Sequence, residues 1–166
     1  MQTHMGRVTF ETTIGRCAVS WSVAGLTGFE LPETDPRPND DTIALPEVGV
    51  LIERVRRHLT GDLQDFSNER YDFAEIPAFN VAVLTATLAI KAGQTRSYGD
   101  VARATGQPIG VSRAVGTALG ANRWPLLIPC HRVVSANGSM TGFSGPGGIK
   151  TKLRLLAIEG AQLFAE

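Results

Sequence analysis

Asn-Arg-Trp-Pro-Leu-Leu-Ile-Pro-Cys-His-Arg-Val-Val, residues 122–134, is the most informative stretch of this 166-residue chain. Its apolar run, residues 126–128, has strand character and ends at a proline, so Cys130 and His131 are expected on a rigid segment. A thiol reacts as its thiolate, and a neighbouring imidazole lowers the pKa of the thiol or accepts its proton. Adjacent residues of an extended segment point to opposite sides, which favours a bridging water between these two side chains. A buried cysteine beside a capping histidine is an equally good interpretation of the residues alone.

Glu159 lies in the last turn of an apolar-periodic helix that stops at Gly160. A carboxylate at this end opposes the helix dipole, so a group outside the helix is expected to compensate its charge. Orienting a histidine, as the carboxylate does in nucleophile–base–carboxylate triads, is one such role. The alternative is an exposed glutamate that destabilises the helix only slightly.

Two short helices upstream of the cysteine form a helix-turn-helix candidate. Ser97 and Asp100 have the spacing of a helix start, in which the hydroxyl caps the helix and the acid favours its N-terminus. This helix is predicted to run to Gly106, and a second helix begins within a few residues of Pro108. Many helical proteins contain such corners, so this pattern alone does not establish DNA binding.

The second of these helices has an unusual exposed face. Its apolar residues fall at helical spacing and predict one packed stripe: Val111, Ala114, Val115, Ala118 and Leu119. Arg113 points away from that stripe, and Gly116 and Gly120 share its exposed face. Glycine costs about 1 kcal/mol in a helix, and a face of glycines lets another backbone approach closely. A DNA backbone or groove fits this description, and so does tight packing against another helix.

The first half of the chain is predicted to be a small α+β unit. Short strand-forming runs are separated by Gly15 and Gly25, and a proline-rich acidic loop follows them. Apolar residues at helical spacing then predict a helix that stops at Gly61: Val48, Leu51, Ile52, Val55 and Leu59.

Nothing in this half has a catalytic pattern. Cys17 lies in a strand pattern and is expected to be a small buried hydrophobic residue. Neither His4 nor His58 has ligand partners at metal spacing. Residues 62–75 are predicted to be an acidic linker, and the domain boundary is placed near Glu75.

The net charge of zero conceals two unlike halves. Residues 1–75 carry seven arginines and thirteen acidic residues, a net charge of −6, whereas residues 76–166 carry nine basic and three acidic residues, a net charge of +6. This asymmetry suggests an acidic scaffold joined to a basic half that binds a polyanion. Two domains that simply differ in composition would look the same.

Composition excludes several classes of protein. The chain is 43% hydrophobic and 19% charged, which argues against a disordered, collagenous or coiled-coil protein. Its longest charge-free apolar segment is too short and too polar to span a bilayer, and the N-terminus has no apolar signal core, so a cytosolic protein is expected. Two cysteines, Cys17 and Cys130, argue against a disulfide framework and a Cys-rich zinc site.

The segment Ile-Pro-Cys-His-Arg-Val-Val, residues 128–134, strongly resembles the active-site signature of the O6-alkylguanine-DNA alkyltransferases. The similarity extends over essentially the whole chain and is most convincing for residues 79–160. It includes Gly-Gln-Thr-Arg-Ser-Tyr-Gly at 93–99, Arg-Ala-Val-Gly at 113–116 and Leu-Leu-Ala-Ile-Glu-Gly at 155–160.

The resemblance implies roles for ten residues. It makes Cys130 the alkyl acceptor, with His131 and Glu159 completing a Glu–His–water–Cys relay, and it makes Tyr98 the tyrosine that helps protonate the leaving guanine. The remaining six are implied in binding DNA or the flipped base: Arg113, Asn122, Val133, Ser144, Asn80 and Gln107. Among them, Arg113 would be the arginine finger that enters the duplex where the base has left.

The sequence therefore predicts an α+β protein that repairs DNA. A small N-terminal sheet-plus-helix domain, residues 1–75, precedes a mainly helical domain with a helix-turn-helix, residues 76–166. By resemblance, the protein flips O6-alkylguanine out of double-stranded DNA and transfers the alkyl group irreversibly to Cys130, without a cofactor or metal, as a cytoplasmic monomer. Two alternatives stay open: a lesion sensor that binds alkylguanine without efficient transfer, and a hydrolase that uses Cys130 and His131.

Overall fold

A three-stranded antiparallel sheet opens the fold. The computed structural model describes residues 5–32, 45–107, 111–135 and 148–161. Strands β1 (Gly6–Thr12), β2 (Gly15–Ser22) and β3 (Gly25–Glu30) follow one another in the order β1-β2-β3. Because the three strands are joined by tight turns, the sheet forms from local pairing.

The turn at Gly25 requires glycine. Its φ is +143°, and a Cβ atom built there would lie 2.4 Å from the carbonyl oxygen of Arg70. The same oxygen accepts a hydrogen bond of 2.8 Å from the Leu26 N–H, so the neighbouring backbone cannot simply move away.

Replacing this glycine should destabilise the protein. We expect Gly25→Ala to lower the free energy of unfolding by about 1–3 kcal/mol, because it combines a strained φ with a backbone clash. Gly49→Ala is the matched control, since Gly49 lies within a helix with open space around it and alanine is favoured there. Urea unfolding measures both variants, and a Gly25→Ala protein as stable as wild type would contradict the prediction.

Helix α1 (Pro46–Leu59) packs beside the sheet. All five residues predicted for its apolar stripe are buried, so this prediction is confirmed. Its C-cap residue is Thr60, and Gly61 follows with a φ of +100°. His58 is also fully buried, although it is polar.

The segment predicted as an acidic linker, residues 62–75, is packed against the rest of the molecule. Phe66 is buried, with the guanidinium of Arg54 lying 5.1 Å from its ring centroid. Tyr71 stacks on Phe73, and both rings meet Trp124 edge-on. Aromatic contacts therefore join the segment to residues on both sides of it in the sequence.

The second half is mainly helical. Its elements are α2 (Ala78–Leu88), β4 (Arg96–Ser97), α3 (Tyr98–Ala104), α4 (Ser112–Gly120), a 3-10 turn (Cys130–Arg132), β5 (Val133–Val134) and α5 (Gly148–Ile158). The two short strands β4 and β5 pair in parallel. The sheet, the helices and their order confirm the predicted α+β class.

Helices α3 and α4 form the predicted helix-turn-helix pair and contact each other. Ser97 and Asp100 make the complete capping box, in which each side chain bonds the other residue's backbone N–H. The buried stripe of α4 is narrower than predicted, because Ala114 is exposed whereas Val115 and Leu119 are buried.

The predicted strand at residues 126–128 is wrong. Leu126 has a φ of +79°, and the Ile128 N–H donates to the carbonyl oxygen of Trp124, so the chain turns here. Apolar continuity misled the prediction, since these residues are buried on all sides whether or not they form a strand.

The hydrophobic core is continuous across residue 75. Buried residues of the sheet and α1 belong to one cluster with buried residues of α2, α3, α4 and α5. A division into two domains at that point stays a prediction. Over the four described ranges, the helices are too short or too polar to cross a membrane.

Candidate active site

Cys130 is the first residue of the 3-10 turn that leads into β5, and it is half-buried. Its N–H donates to the carbonyl oxygen of Ile128, at 2.8 Å. The Asn122 side chain donates to the same oxygen at 2.9 Å, and its own Oδ1 accepts from the Trp124 N–H. Asn122 therefore ties the chain just after α4 to the turn that carries the thiol.

The thiol lies in an environment that keeps it protonated. Burial raises the pKa of Cys130, although a hydrogen bond from Asn122 and the nearby Lys152 ammonium act in the opposite direction. A raised pKa means that little thiolate is present at neutral pH. Any reaction of this thiol as a nucleophile therefore needs a base to take its proton.

A buried cluster around Glu159 contains two histidines, and histidine is the side chain that most often acts as a base in proteins. Glu159 follows α5 directly and is only 3% exposed. Its Oε2 accepts hydrogen bonds of 2.9 Å from His131 Nε2 and 2.9 Å from His58 Nε2. Arg132 holds both carboxylate oxygens, with Nε 2.8 Å from Oε1 and Nη2 2.8 Å from Oε2.

These contacts keep Glu159 ionised. Burial alone would raise the pKa of Glu159, but hydrogen bonds from Arg132, His131 and His58 outweigh it and hold that pKa far below its ordinary range. The carboxylate is thus an acceptor only. The Arg132 guanidinium balances the negative charge in a bidentate ion pair.

The ionised carboxylate fixes the tautomer of His131. Burial lowers the pKa of His131 below its ordinary value, despite the opposing effect of Glu159, so the ring is neutral at neutral pH. Its single proton lies on Nε2, because that nitrogen faces an acceptor. The other nitrogen, Nδ1, is buried and makes no hydrogen bond to any residue that the structure describes. His131 therefore presents a free lone pair on the side away from Glu159.

Lys152 is a second charge near the thiol. It is 1% exposed, and its Nζ donates to the Val133 carbonyl oxygen at 2.8 Å. Burial lowers the pKa of Lys152, and interaction with Cys130 acts against that shift. A buried ammonium beside a thiol stabilises the thiolate when it forms.

Tyr98 and Arg113 lie on the helix-turn-helix. Tyr98 begins α3 and is half-buried, and its ring lies 3.8 Å from where a Cβ of Gly116 would be. That is an ordinary van der Waals distance, so packing against α3 would allow a Cβ at Gly116, and Arg113 and Gly120 on the same helix are exposed. Tight packing therefore does not explain Gly116, and close approach of DNA to this face stays a prediction.

The other predicted DNA-binding residues are spread over the second half. Val133 is fully buried, its N–H donates to the Cys130 carbonyl oxygen, and its own carbonyl accepts from Lys152. Asn80 is half-buried on α2, and Gln107 is exposed just after α3. Ser144 lies outside the described residues.

Sequence reasoning missed His58, Arg132 and Lys152. Arg132 stands inside the signature but carried no assigned role, and Lys152 looks like one more basic residue of a basic half. His58 is 101 residues from Glu159, so no local spacing could have connected them. In residues 5–32, 45–107, 111–135 and 148–161, no group of His, Cys, Asp and Glu is arranged to hold a metal ion.

The chain is similar to known alkyltransferases along most of its length. The family model described as 6-O-methylguanine DNA methyltransferase, DNA binding domain, matches residues 78–161. A methylated-DNA–protein-cysteine methyltransferase of Methanothermobacter thermautotrophicus is 35% identical, over 87% of this chain and 80% of that protein. The protein of the same description from Mycobacterium tuberculosis is 34% identical, over 95% of this chain and 94% of its own length.

Solved structures agree with these relatives. The crystal structure of Mycobacterium tuberculosis O6-methylguanine methyltransferase matches with a TM-score of 0.80 at 31% identity, covering 98% of this chain and 97% of that one. The structure of the Mycobacterium tuberculosis protein in complex with DNA matches with a TM-score of 0.78 at 33% identity, covering 93% and 92%. The match covers nearly the whole chain and so includes the sheet, the helix-turn-helix and the 3-10 turn that begins at Cys130. On this evidence the chain belongs to the O6-methylguanine-DNA methyltransferase family.

Proposed function

We propose that this protein repairs DNA by moving an alkyl group from O6 of guanine to the sulfur of Cys130, once per molecule. The observation that carries the proposal is the neutral His131, held through Nε2 by the buried Glu159 carboxylate and beside the thiol in sequence. Family membership supports methylated DNA as the substrate class, and we take the substrate to be double-stranded DNA that contains O6-alkylguanine. We place the protein in the cytoplasm as a monomer that binds DNA.

The chemistry follows from the side chains around the thiol. His131 Nδ1 accepts the Cys130 proton through a bridging water, and the thiolate attacks the saturated carbon of the alkyl group. The carbon–sulfur bond forms as the carbon–oxygen bond breaks, and the electron pair of that bond passes to guanine. The Tyr98 hydroxyl helps to protonate the leaving base. Lys152 and Asn122 stabilise the thiolate while it forms.

The product explains why each molecule reacts once. Transfer leaves a thioether on Cys130, and a thioether has no acyl carbon for water to attack. A hydrolase with the same Cys and His would instead form a thioester that water can open. The alkylated protein is therefore the end point of the reaction.

Binding to DNA falls to the basic second half, whose net charge is +6 over residues 76–166. The modified O6 atom is stacked inside the duplex, so the nucleotide must be extruded at a cost of a few kcal/mol. We assign Arg113, exposed on α4, to fill the vacated position, and Asn80 and Gln107 to the DNA backbone. Asn122 braces the turn that carries Cys130, and we assign Val133 and Ser144 to recognition of the flipped guanine.

Arg113→Ala should separate base flipping from chemistry. We expect the single-turnover rate on duplex O6-methylguanine to fall about ten- to hundredfold, because the filler offsets a few kcal/mol of unstacking. The rate with free O6-benzylguanine should stay near wild type, because no base needs extruding. Arg113→Lys should restore only part of the duplex rate, since an ammonium lacks the planar stacking group.

Arg103→Ala provides the matched control for that experiment. Arg103 is an exposed arginine on the neighbouring helix α3, where it pairs with Asp100. Its removal takes away the same charge without removing the proposed filler, so the duplex rate should change much less. Equal losses on duplex and free base in Arg113→Ala would show that Arg113 supports the pocket or the fold instead.

Label transfer tests the function as a whole. A duplex with a labelled O6-methyl group is incubated with the protein, and the label bound to protein is counted over time. We expect transfer to saturate at one label per protein molecule. Tight binding without transfer would support a lesion sensor, and continued turnover on ester substrates would support a hydrolase; either result would overturn the proposal.

A further inference from the structure

His58 lies in the buried cluster although it comes from α1, in the first half of the chain. It is fully buried, and its Nε2 is 2.9 Å from Glu159 Oε2. The same oxygen accepts from His131 Nε2 at 2.9 Å and from Arg132 Nη2 at 2.8 Å. Three donors from two distant parts of the sequence therefore share one carboxylate oxygen.

The backbone fixes the hydrogen-bonding role of His58. The Gln64 N–H donates to His58 Nδ1 at 3.0 Å, so that nitrogen must present its lone pair. The ring proton is consequently on Nε2, which faces Glu159. His58 is thereby set as a donor to the carboxylate and has no second orientation that satisfies both neighbours.

The end of α1 that carries His58 is held from several sides. The Phe66 ring packs against the His58 ring, with centroids 5.4 Å apart. The Thr13 hydroxyl donates to the Leu59 carbonyl oxygen at 3.1 Å, which ties the helix end to the β1–β2 turn. Such support keeps the His58 ring in place, as residues behind an active site commonly do.

We propose that His58 is a positioning residue for alkyl transfer. The His58 N–H occupies one of the hydrogen-bonding directions around Glu159 Oε2. The His131 N–H is thereby confined to another direction, in which His131 Nδ1 points away from Glu159. A carboxylate oxygen has two in-plane lone pairs, so three donors compete for its favoured directions. Without His58, the His131 ring can move toward the vacated direction, and Nδ1 moves with it. This inference rests on the proposed function, and it makes the first half of the chain part of the catalytic apparatus.

His58→Leu tests the inference in the full-length protein. We expect its single-turnover rate to fall on the order of tenfold, and equally on duplex and on free O6-benzylguanine, because a misplaced base slows the chemistry itself. DNA affinity should not change. His58→Gln, which keeps an amide N–H at a similar reach, should recover part of the rate on both substrates.

The matched control is Leu59→Ala. Leu59 is the next residue of α1 and is 4% exposed, but its side chain has no part in the hydrogen-bonded cluster. Its truncation costs stability through lost packing. At a temperature where the protein stays folded, we expect its transfer rate to equal that of wild type.

Nitrogen NMR of the histidine rings distinguishes a positioning role from a purely structural one. In the wild type, His58 and His131 should both carry a ring proton on Nε2. His58→Leu should shift the Nδ1 and Nε2 resonances of His131 while its proton stays on Nε2, and His58→Gln should return them toward the wild-type values. The wild-type spectrum is informative even if His58→Leu does not fold.

Several results would overturn the inference. They are a wild-type His58 protonated on Nδ1, a His58→Leu protein with the wild-type rate, or a Leu59→Ala protein as slow as His58→Leu. A loss confined to duplex DNA would also overturn it, because that would place His58 in DNA binding. A wild-type protein that transfers no alkyl group would instead refute the proposed function, so the two failures are distinguishable.

Discussion

Cys130→Ser is expected to abolish alkyl transfer while the protein keeps its fold and its affinity for DNA. A serine hydroxyl ionises far less readily than a thiol and is a much weaker nucleophile at neutral pH. The two side chains have nearly the same shape, so the turn around residue 130 should be undisturbed. Single-turnover label transfer measures the loss, and fluorescence anisotropy with a lesion-containing duplex measures binding.

Cys17→Ala is the control for this experiment. Cys17 is 1% exposed in β2, and burial raises the pKa of its thiol to about 12. It should therefore be unreactive, and its replacement should affect stability and leave transfer intact. A Cys130→Ser protein that accepts the alkyl group at a rate comparable to wild type would contradict the assignment of the acceptor.

The second large effect is expected for Glu159→Gln. An amide cannot balance the buried Arg132 guanidinium, and breaking a buried pair by removing one partner costs about 3–5 kcal/mol. An amide can turn either its oxygen or its NH2 group toward His131, so it no longer fixes His131 as the donor. Transfer should therefore fall on duplex and on free base alike. Urea unfolding and single-turnover rates measure the two losses.

Glu53→Gln is the matched substitution for stability. Glu53 is exposed on α1 and pairs with Arg56 at the surface, so its loss should change the free energy of unfolding by no more than about 0.5 kcal/mol. If the free energy of unfolding of Glu159→Gln also changed by no more than this amount, the buried cluster would contribute little to stability.

The cluster also predicts how stability depends on pH. Because the folded-state pKa of Glu159 is depressed, its contribution is complete above its ordinary value of 4.5 and is lost as the pH falls below that value. Folding also lowers the pKa of His131 from its ordinary value of 6.5. As the pH falls below that value, the unfolded protein therefore takes up a proton at His131 more readily than the folded protein does, and stability decreases. Unfolding at a series of pH values should show a steep acid loss for wild type. Below pH 4.5 the loss should be shallower for Glu159→Gln, and identical slopes would contradict this account.

Periodicity and capping predicted the elements that depend on local sequence. The stripe of α1 and the capping box of α3 are patterns in which every interacting residue lies within one or two helical turns. The resemblance named Cys130, His131 and Glu159. In the structure His131 is hydrogen-bonded to Glu159, and Cys130 precedes His131 in the same 3-10 turn. How each acts in the reaction stays a prediction.

Features set by tertiary contacts could not be predicted in this way. The turn at residues 124–128 is apolar throughout, and an apolar run has the same pattern in a buried turn as in a buried strand. The buried hydrogen bonds of His58 and Lys152 are made with partners 101 and 19 residues away in the sequence. A sequence pattern cannot distinguish a buried, paired charge from an exposed one.

Peptide mass mapping after incubation with duplex DNA containing O6-methylguanine tests the central claim most directly. The protein offers its own internal comparison, because it has two cysteines in different environments. We predict one added methyl group per molecule, on the peptide that contains Cys130, with Cys17 unmodified. Lesion-bound protein without a mass gain, or a methyl group on any other residue, would contradict the account.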